Sequence, residues 1–213
     1  MKLRPFFFAA LLGAPALVGR AAETPDIATV YRERAEKIAV PLGLSEAAKT
    51  ARVRDLIAAQ YAALNTLLDG AKAETKALAA KKADEAAIKA VKETADGKVK
   101  ELHAAYLQKL AAELTPAQIV QVKDGMTYGV VPLTYRVYME MLPNLTEEQK
   151  KQLMAWLVEA RELAMDGGTS QEKHAVFGKY KGKINNYLAA AGYNMKQAEK
   201  DMFARQKASS AKK

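Results

Sequence analysis

Ten side chains between residues 128 and 186 have the types and spacing to hold a sugar: Tyr128, Tyr135, Arg136, Trp156, His174, Lys179, Tyr180, Lys181, Asn185 and Asn186. Six of the nine tyrosines and the single tryptophan fall between residues 128 and 193, interleaved with cations and amides. Aromatic faces stack on the C–H faces of a carbohydrate, while guanidinium, ammonium and amide groups take its hydroxyls and carboxylates. Ordinary helix packing competes for the same residues. Tyr135, Tyr138 and Met139 stand at core spacing, and Tyr187 shares a helical stripe with Ile184 and Leu188. Tyr128, in a glycine-rich stretch, and the segment from His174 to Tyr180 are the better functional candidates.

Catalytic chemistry has less support. The sequence has two histidines and no cysteine, which removes thiol catalysis, disulfides and cysteine metal sites together. No Asp-His-Ser order or H-E-x-x-H spacing surrounds His174, and His103 stands in a bland Ala/Lys-rich stretch. Glu159, Glu162 and Asp166 share one helical face. Paired carboxylates can cleave glycosidic bonds, but glycosidase pairs normally face each other from different elements, so salt bridges or a solvated face are the simpler expectation. Gly178 and Gly182, four apart, fit close helix approach or ligand access to the backbone, with packing the simpler account. The expectation is no catalytic residue, no cofactor and no metal.

The elements that must position these residues are helical. Thr24-Pro25 reads as a helix start, and Pro41 ends the run that follows. Ser45 opens a second helix carrying Val53, Ile57, Tyr61, Leu64 and Leu68 on one stripe. From Ala71 to Glu113 the composition shifts to Ala, Lys and Glu, which predicts a long helical hairpin turning at Lys81–Asp84 or at Asp96-Gly97. Thr115-x-x-Gln118, Thr146-x-x-Gln149 and Thr169-x-x-Glu172 each fit a capping box. Gly125 to Pro132 reads as a loop, with Val130-Val131 as the sole strand-like pair, followed by a short helix from Thr134 to Met141 and another from Glu147 to Met165, ended by Asp166-Gly167-Gly168. Gly192 is placed to stop the helix that begins near Ser170, and Asn194 to cap the last one through Phe203.

The N-terminus combines Lys2 and Arg4, an apolar run from Pro5 to Val18, and the small residues around Ala21. This is the order of a secretory signal with cleavage near Ala21, and the run is too short to span a bilayer. Its removal lowers the formal charge from +9 to +6. A basic exported chain favours acidic glycans, lipid headgroups or envelope polymers and rarely meets nucleic acid. The expected fold is all-α, a multi-helix bundle with a long Ala/Lys-rich helical hairpin. Residues 1–21 form the signal, 22–206 one domain (hairpin 71–113, compact helices 114–206) and 207–213 a disordered basic tail.

The block Val122-Lys-Asp-Gly-Met-Thr-Tyr-Gly-Val-Val-Pro-Leu-Thr-Tyr135, followed by Leu-Thr-Glu-Glu-Gln149, Trp156-Leu-Val-Glu-Ala-Arg-Glu162 and Lys179-Tyr-Lys-Gly-Lys-Ile-Asn-Asn-Tyr-Leu188, resembles domain of unknown function 3826. The likeness extends back through Tyr31-Arg-Glu-Arg-Ala35. It implies a secreted sugar-binding protein of polysaccharide-degrading organisms, without an established active site to carry over. The repeated Leu-Thr-x-x-Gln at Leu114 and Leu145 also looks like the motif of the periplasmic Spy/CpxP chaperones, over only a few residues. The sequence therefore points first to a periplasmic or secreted binding protein for carbohydrate, an acidic glycan above all. An ATP-independent chaperone for unfolded clients comes second, and a polysaccharide-active enzyme third.

Overall fold

The computed structural model describes residues 26–210, and the expected signal segment lies outside them. Among the described residues the chain forms eight α-helices: α1 Ile27–Ala39, α2 Ala47–Ala80, α3 Glu85–Glu113, α4 Pro116–Met126, α5 Val130–Met141, α6 Glu147–Met165, α7 Ser170–Ala190 and α8 Met195–Ser210. This is the expected all-α bundle. No helix is long and apolar enough to cross a membrane among these residues.

Local capping sets most of the boundaries. Thr115, Thr146 and Thr169 each accept from the backbone amide three residues on, and Gln118, Gln149 and Glu172 reach back to the cap amide. Each such cap stabilises its helix by about 1 kcal/mol. At the end of α7 the amide of Tyr193 bonds Leu188 O at 3.1 Å and that of Gly192 bonds Ala189 O at 3.0 Å, with Gly192 at φ 92°. This is a Schellman closure around a left-handed glycine. Asn194 Oδ1 accepts from Gln197 N at 3.0 Å and opens α8.

Several boundaries differ from the sequence expectation. Of the two turns expected for the hairpin, the structure takes the first, Lys81–Asp84, where Lys82 adopts φ 54° and Asp84 caps α3 through Ala87 N at 2.7 Å. Gly97 stays inside α3, and the first arm of the hairpin begins at Ala47, after extended Glu46. The expected loop 125–132 shrinks to Thr127–Gly129. Gly125 lies within α4, and its missing side chain lets α1 pack closely there: a Cβ would stand 2.9 Å from Ile38 Cγ2. Val130-Val131 is helix, not strand, and Pro132 falls in the first turn of α5, where its missing N–H costs nothing. Gly178 and Gly182 bring no helix close, since a Cβ at either would meet open space. Residues 207–210, expected to be disordered, continue α8. α1 starts after Asp26, whose side chain makes no capping bond, and Thr24-Pro25 lies outside the described residues.

Two apolar clusters hold the bundle. One joins α1, the proximal parts of α2 and α3, and α4 through Val53, Ile57, Leu110, Val122 and Met126. The other joins α5, α6, α7 and α8 through Leu153, Leu157, Phe177, Ile184 and Leu188. Each large side chain taken fully from water contributes roughly 2 kcal/mol, so these clusters, not the Ala/Lys arms, fix the relative placement of the helices. The C-terminal end of α6 contributes Met165 to the first cluster, which ties the two together. The seam between them is where the chemistry gathers.

Candidate functional site

At that seam lies a cavity of about 350 Å³. α1 brings Tyr31 and Arg34, three apart and so on one face, with Lys37 beside them. α2 brings Tyr61 and Asn65, again one helical turn apart, and the α4–α5 junction brings Tyr128. The remaining wall is the α6–α7 turn, Gly167-Gly168, and Lys173 of α7. The lining thus holds three tyrosines, three cations and an amide but no carboxylate. Its size falls within the range of small-ligand pockets, about 300–1,000 Å³.

The aromatic rings are ordered against one another. Tyr31 is buried and stacks on Tyr61, with ring centroids 6.0 Å apart and planes 28° apart. Burial, with a smaller contribution from the Tyr128 phenol, pushes the Tyr61 hydroxyl up to about 12, so it remains a neutral group able to donate. Tyr128 stands at the rim, 54% exposed, and its ring stacks on His174 at 5.4 Å and 13°.

The backbone of Tyr128 is unusual. The amide of Gly129 bonds Asp124 O at 2.8 Å and that of Tyr128 bonds Gly125 O at 3.4 Å, a Schellman closure like that of α7. Here the left-handed position, φ 59°, is held by tyrosine instead of glycine. A side chain in that region costs on the order of 1 kcal/mol, and such strain concentrates at functional positions. Its effect is to hold a large ring clear of the core at the mouth of the cavity.

Lys173 forms part of the inner wall. Only 4% of the residue is exposed, and Nζ donates to Ala164 O at 3.1 Å and Met165 O at 2.8 Å, the last carbonyls of α6. Burial pulls its ammonium down to about 8, and Arg34 adds to this, while Asp166 and Glu172 oppose it. Gly167 makes room for the lysine stem, since a Cβ there would stand 3.1 Å from Lys173 Cγ. Gly168 similarly lets α2 approach: a Cβ would meet Leu68 Cδ1 at 3.1 Å.

Behind this wall a charged network pins α3 and α4 to α6. His103 Nδ1 lies 3.0 Å from Asp166, and its Nε2 lies 3.7 Å from Glu162. Lys123 Nζ reaches Glu162 at 2.6 Å, and buried Arg161 reaches Asp124 at 2.9 Å. Hydrogen bonds to Asp166 and Glu162 raise His103 to about 9. Burial alone would raise Glu162, but hydrogen bonds from His103 and Lys123 bring it down to about 2. Two of the three carboxylates on the α6 face are therefore engaged in ion pairs. Among the described residues no group of His, Asp and Glu is placed to hold a metal ion.

Of the sequence candidates, Tyr128 reaches this cavity and His174 supports it through the ring stack. The others lie elsewhere. Trp156 packs edge-on against Tyr187 at 5.2 Å, and Lys183 Nζ sits 4.6 Å from the Trp156 ring and 5.5 Å from Tyr180. Asn185 accepts from the Tyr138 hydroxyl at 2.6 Å. Lys181 and Asn185 border a separate, more aliphatic depression of about 430 Å³ with Leu133, Val137 and Met195. Tyr135 packs on the second cluster, while Arg136, Lys179 and Asn186 are exposed.

Sequence reasoning passed over Tyr31, Arg34, Tyr61 and Lys173. Tyr31 recurs with Ile27, Val30 and Ile38 at helical spacing and Tyr61 stands on the α2 stripe, so both read as packing residues. Lys173 did leave a signal: it stands four before Phe177 and on the same stripe as Ile184 and Leu188, so a lysine occupies a core position of α7.

An all-α bundle of eight described helices, with a basic tyrosine-lined cavity where its two clusters meet, defines the kind of protein this is. Within that class, the chain belongs to the family described as protein of unknown function DUF3826, which matches residues 28–208. No curated protein matches the sequence.

Proposed function

We propose that this protein is an exported, non-enzymatic binding protein for carbohydrate, with acidic glycan as its ligand, and that the cavity between α1, α2, the α4–α5 junction and α7 is the binding site. The observation that carries this reading is the lining itself: Tyr31, Tyr61 and Tyr128 with Arg34, Lys37 and Lys173, and no carboxylate. Rings suit the C–H faces of a pyranose, Asn65 suits its hydroxyls, and unopposed cations suit an anionic substituent. An apolar ligand would bring no counter-charge to a lining that holds three cations and no carboxylate. A nucleophile–base pair of the kind a glycan-cleaving enzyme needs is not among these side chains. The charge order at the N-terminus supports export.

The test is calorimetric titration of the mature chain with uronic-acid oligosaccharides and with neutral ones of equal length. Binding that weakens in Tyr128→Ala and in Arg34→Ala supports the site. Suppression of client aggregation without any glycan binding would favour the chaperone reading instead, and release of shortened oligosaccharides would favour an enzyme.

A further inference from the structure

Lys173 carries a donor that the protein does not use. An ammonium has three N–H groups. Two are taken by Ala164 O and Met165 O, and among the described residues Nζ makes no other hydrogen bond and no ion pair. Lysines commonly cap helix carbonyls, but they do so from the surface, where the charge stays hydrated. This one is buried in a cavity wall, a costly place for a charge without a counter-ion.

The neighbouring charges do not remove that cost. From α6, Asp166 attracts Lys173 but is bonded to His103. On α7 itself, Glu172 is spent on Gly168 N, Thr169 N and Lys72. From α1, Arg34 repels it. From α2, the Tyr61 ring lies 5.9 Å from Nζ, and its hydroxyl is neutral. An anion arriving from the cavity would meet the unused N–H with Arg34 on the same lining and no carboxylate opposing it.

We propose that Lys173 is the anion subsite of this cavity and that it takes one carboxylate borne by a sugar, so that the ligand is a uronic acid whose ring rests among Tyr31, Tyr61 and Tyr128. This rests on the sugar-binding reading and adds to it the place and number of the charge. A consequence is proton linkage. The bound carboxylate favours the charged amine, so above pH 8 the complex holds a proton that the empty protein has begun to lose. Uronate affinity is then flat below about pH 8 and falls up to about tenfold per pH unit above it, while neutral sugar affinity does not change.

Calorimetry with a uronate disaccharide, its neutral hexose counterpart and free acetate, each at about pH 7 and about pH 9.5, tests this on the wild-type chain. Buffers of different ionisation enthalpy read the proton count directly. The expected result is tight uronate binding with uptake of close to one proton above pH 8, weaker neutral binding without it, and acetate far weaker than either. Lys173→Gln, which removes the titrating ammonium and leaves Arg34 and Lys37 in place, is expected to bind uronate more weakly than wild type at about pH 7 and to lose both the proton uptake and the fall in uronate affinity above pH 8, with neutral sugar affinity unchanged. Lys173→Met serves the same purpose if the glutamine variant folds poorly. Uronate affinity that ignores pH, with no proton uptake in wild type, overturns the subsite while leaving sugar binding intact. Binding of acetate as strong as uronate makes it a site for free carboxylates. Failure of both sugars removes the sugar-binding reading and this subsite together.

Discussion

Replacing Tyr128 by glycine and by alanine separates what the backbone wants from what the cavity uses. Both variants lose the ring and its stack on His174 at 5.4 Å. Loss of that stack costs roughly 0.5–1.5 kcal/mol in each. They differ in the left-handed backbone at φ 59°. Alanine retains the Cβ penalty of about 1–2 kcal/mol, whereas glycine sheds it and gives back roughly 0.5–1 kcal/mol in chain entropy. Tyr128→Gly should therefore be about 1 kcal/mol more stable than Tyr128→Ala and close to wild type. For a domain of this size that is a difference of about 2–4 °C in melting temperature. Urea denaturation followed by circular dichroism measures it, and calorimetry on the same samples measures glycan affinity. Both variants should bind less well than wild type despite their different stabilities. If the alanine variant is as stable as the glycine variant, the Schellman strain assigned to Tyr128 is wrong. If either binds acidic oligosaccharide as tightly as wild type, Tyr128 is not part of the site.

The His103 clamp gives a pH signature with a definite sign. With His103 raised to about 9, the stability it contributes is fully present below the unfolded value near 6.5 and is lost as pH rises through about 9. Lys173, depressed to about 8, acts oppositely, since the cost of burying its charge disappears as it deprotonates. The informative quantity is thus the difference between wild type and His103→Gln, expected to shrink by on the order of 2 kcal/mol between pH 6.5 and pH 9.5 in urea titrations. Paired alanine substitution of the exposed rim cations Arg34 and Lys37 should weaken acidic glycan binding chiefly at low salt, because exposed charges are screened over about 8 Å at physiological ionic strength, and should leave neutral glycan binding unchanged in the same calorimeter. Mass spectrometry of the exported protein should find a mature N-terminus at Ala22 or Glu23, and retention of Phe6–Phe8 would defeat the export reading.

What the sequence determined by itself is what depends on a few neighbouring residues. Thr115, Thr146 and Thr169 cap helices because the hydroxyl and the reciprocating Gln or Glu lie three residues apart in the chain, whatever surrounds them. Gly192 ends α7 for a reason equally local, the left-handed turn at φ 92°. The all-α class follows from the same density of local signals. Tyr128 was legible as an exposed ring because glycines flank it in the sequence. Tertiary structure decided the rest. Gly125 looked like a loop residue until Ile38, 87 positions earlier, required the missing side chain. Tyr31, Tyr61 and Lys173 come from three helices separated by 30 and 112 residues, and each alone resembles a packing residue. Their convergence depends on how α1, α2 and the α6–α7 turn dock. Local periodicity gives the stripe with Val53 and Ile57 but not its partners, and that docking is set by their packing with Met126 and Met165.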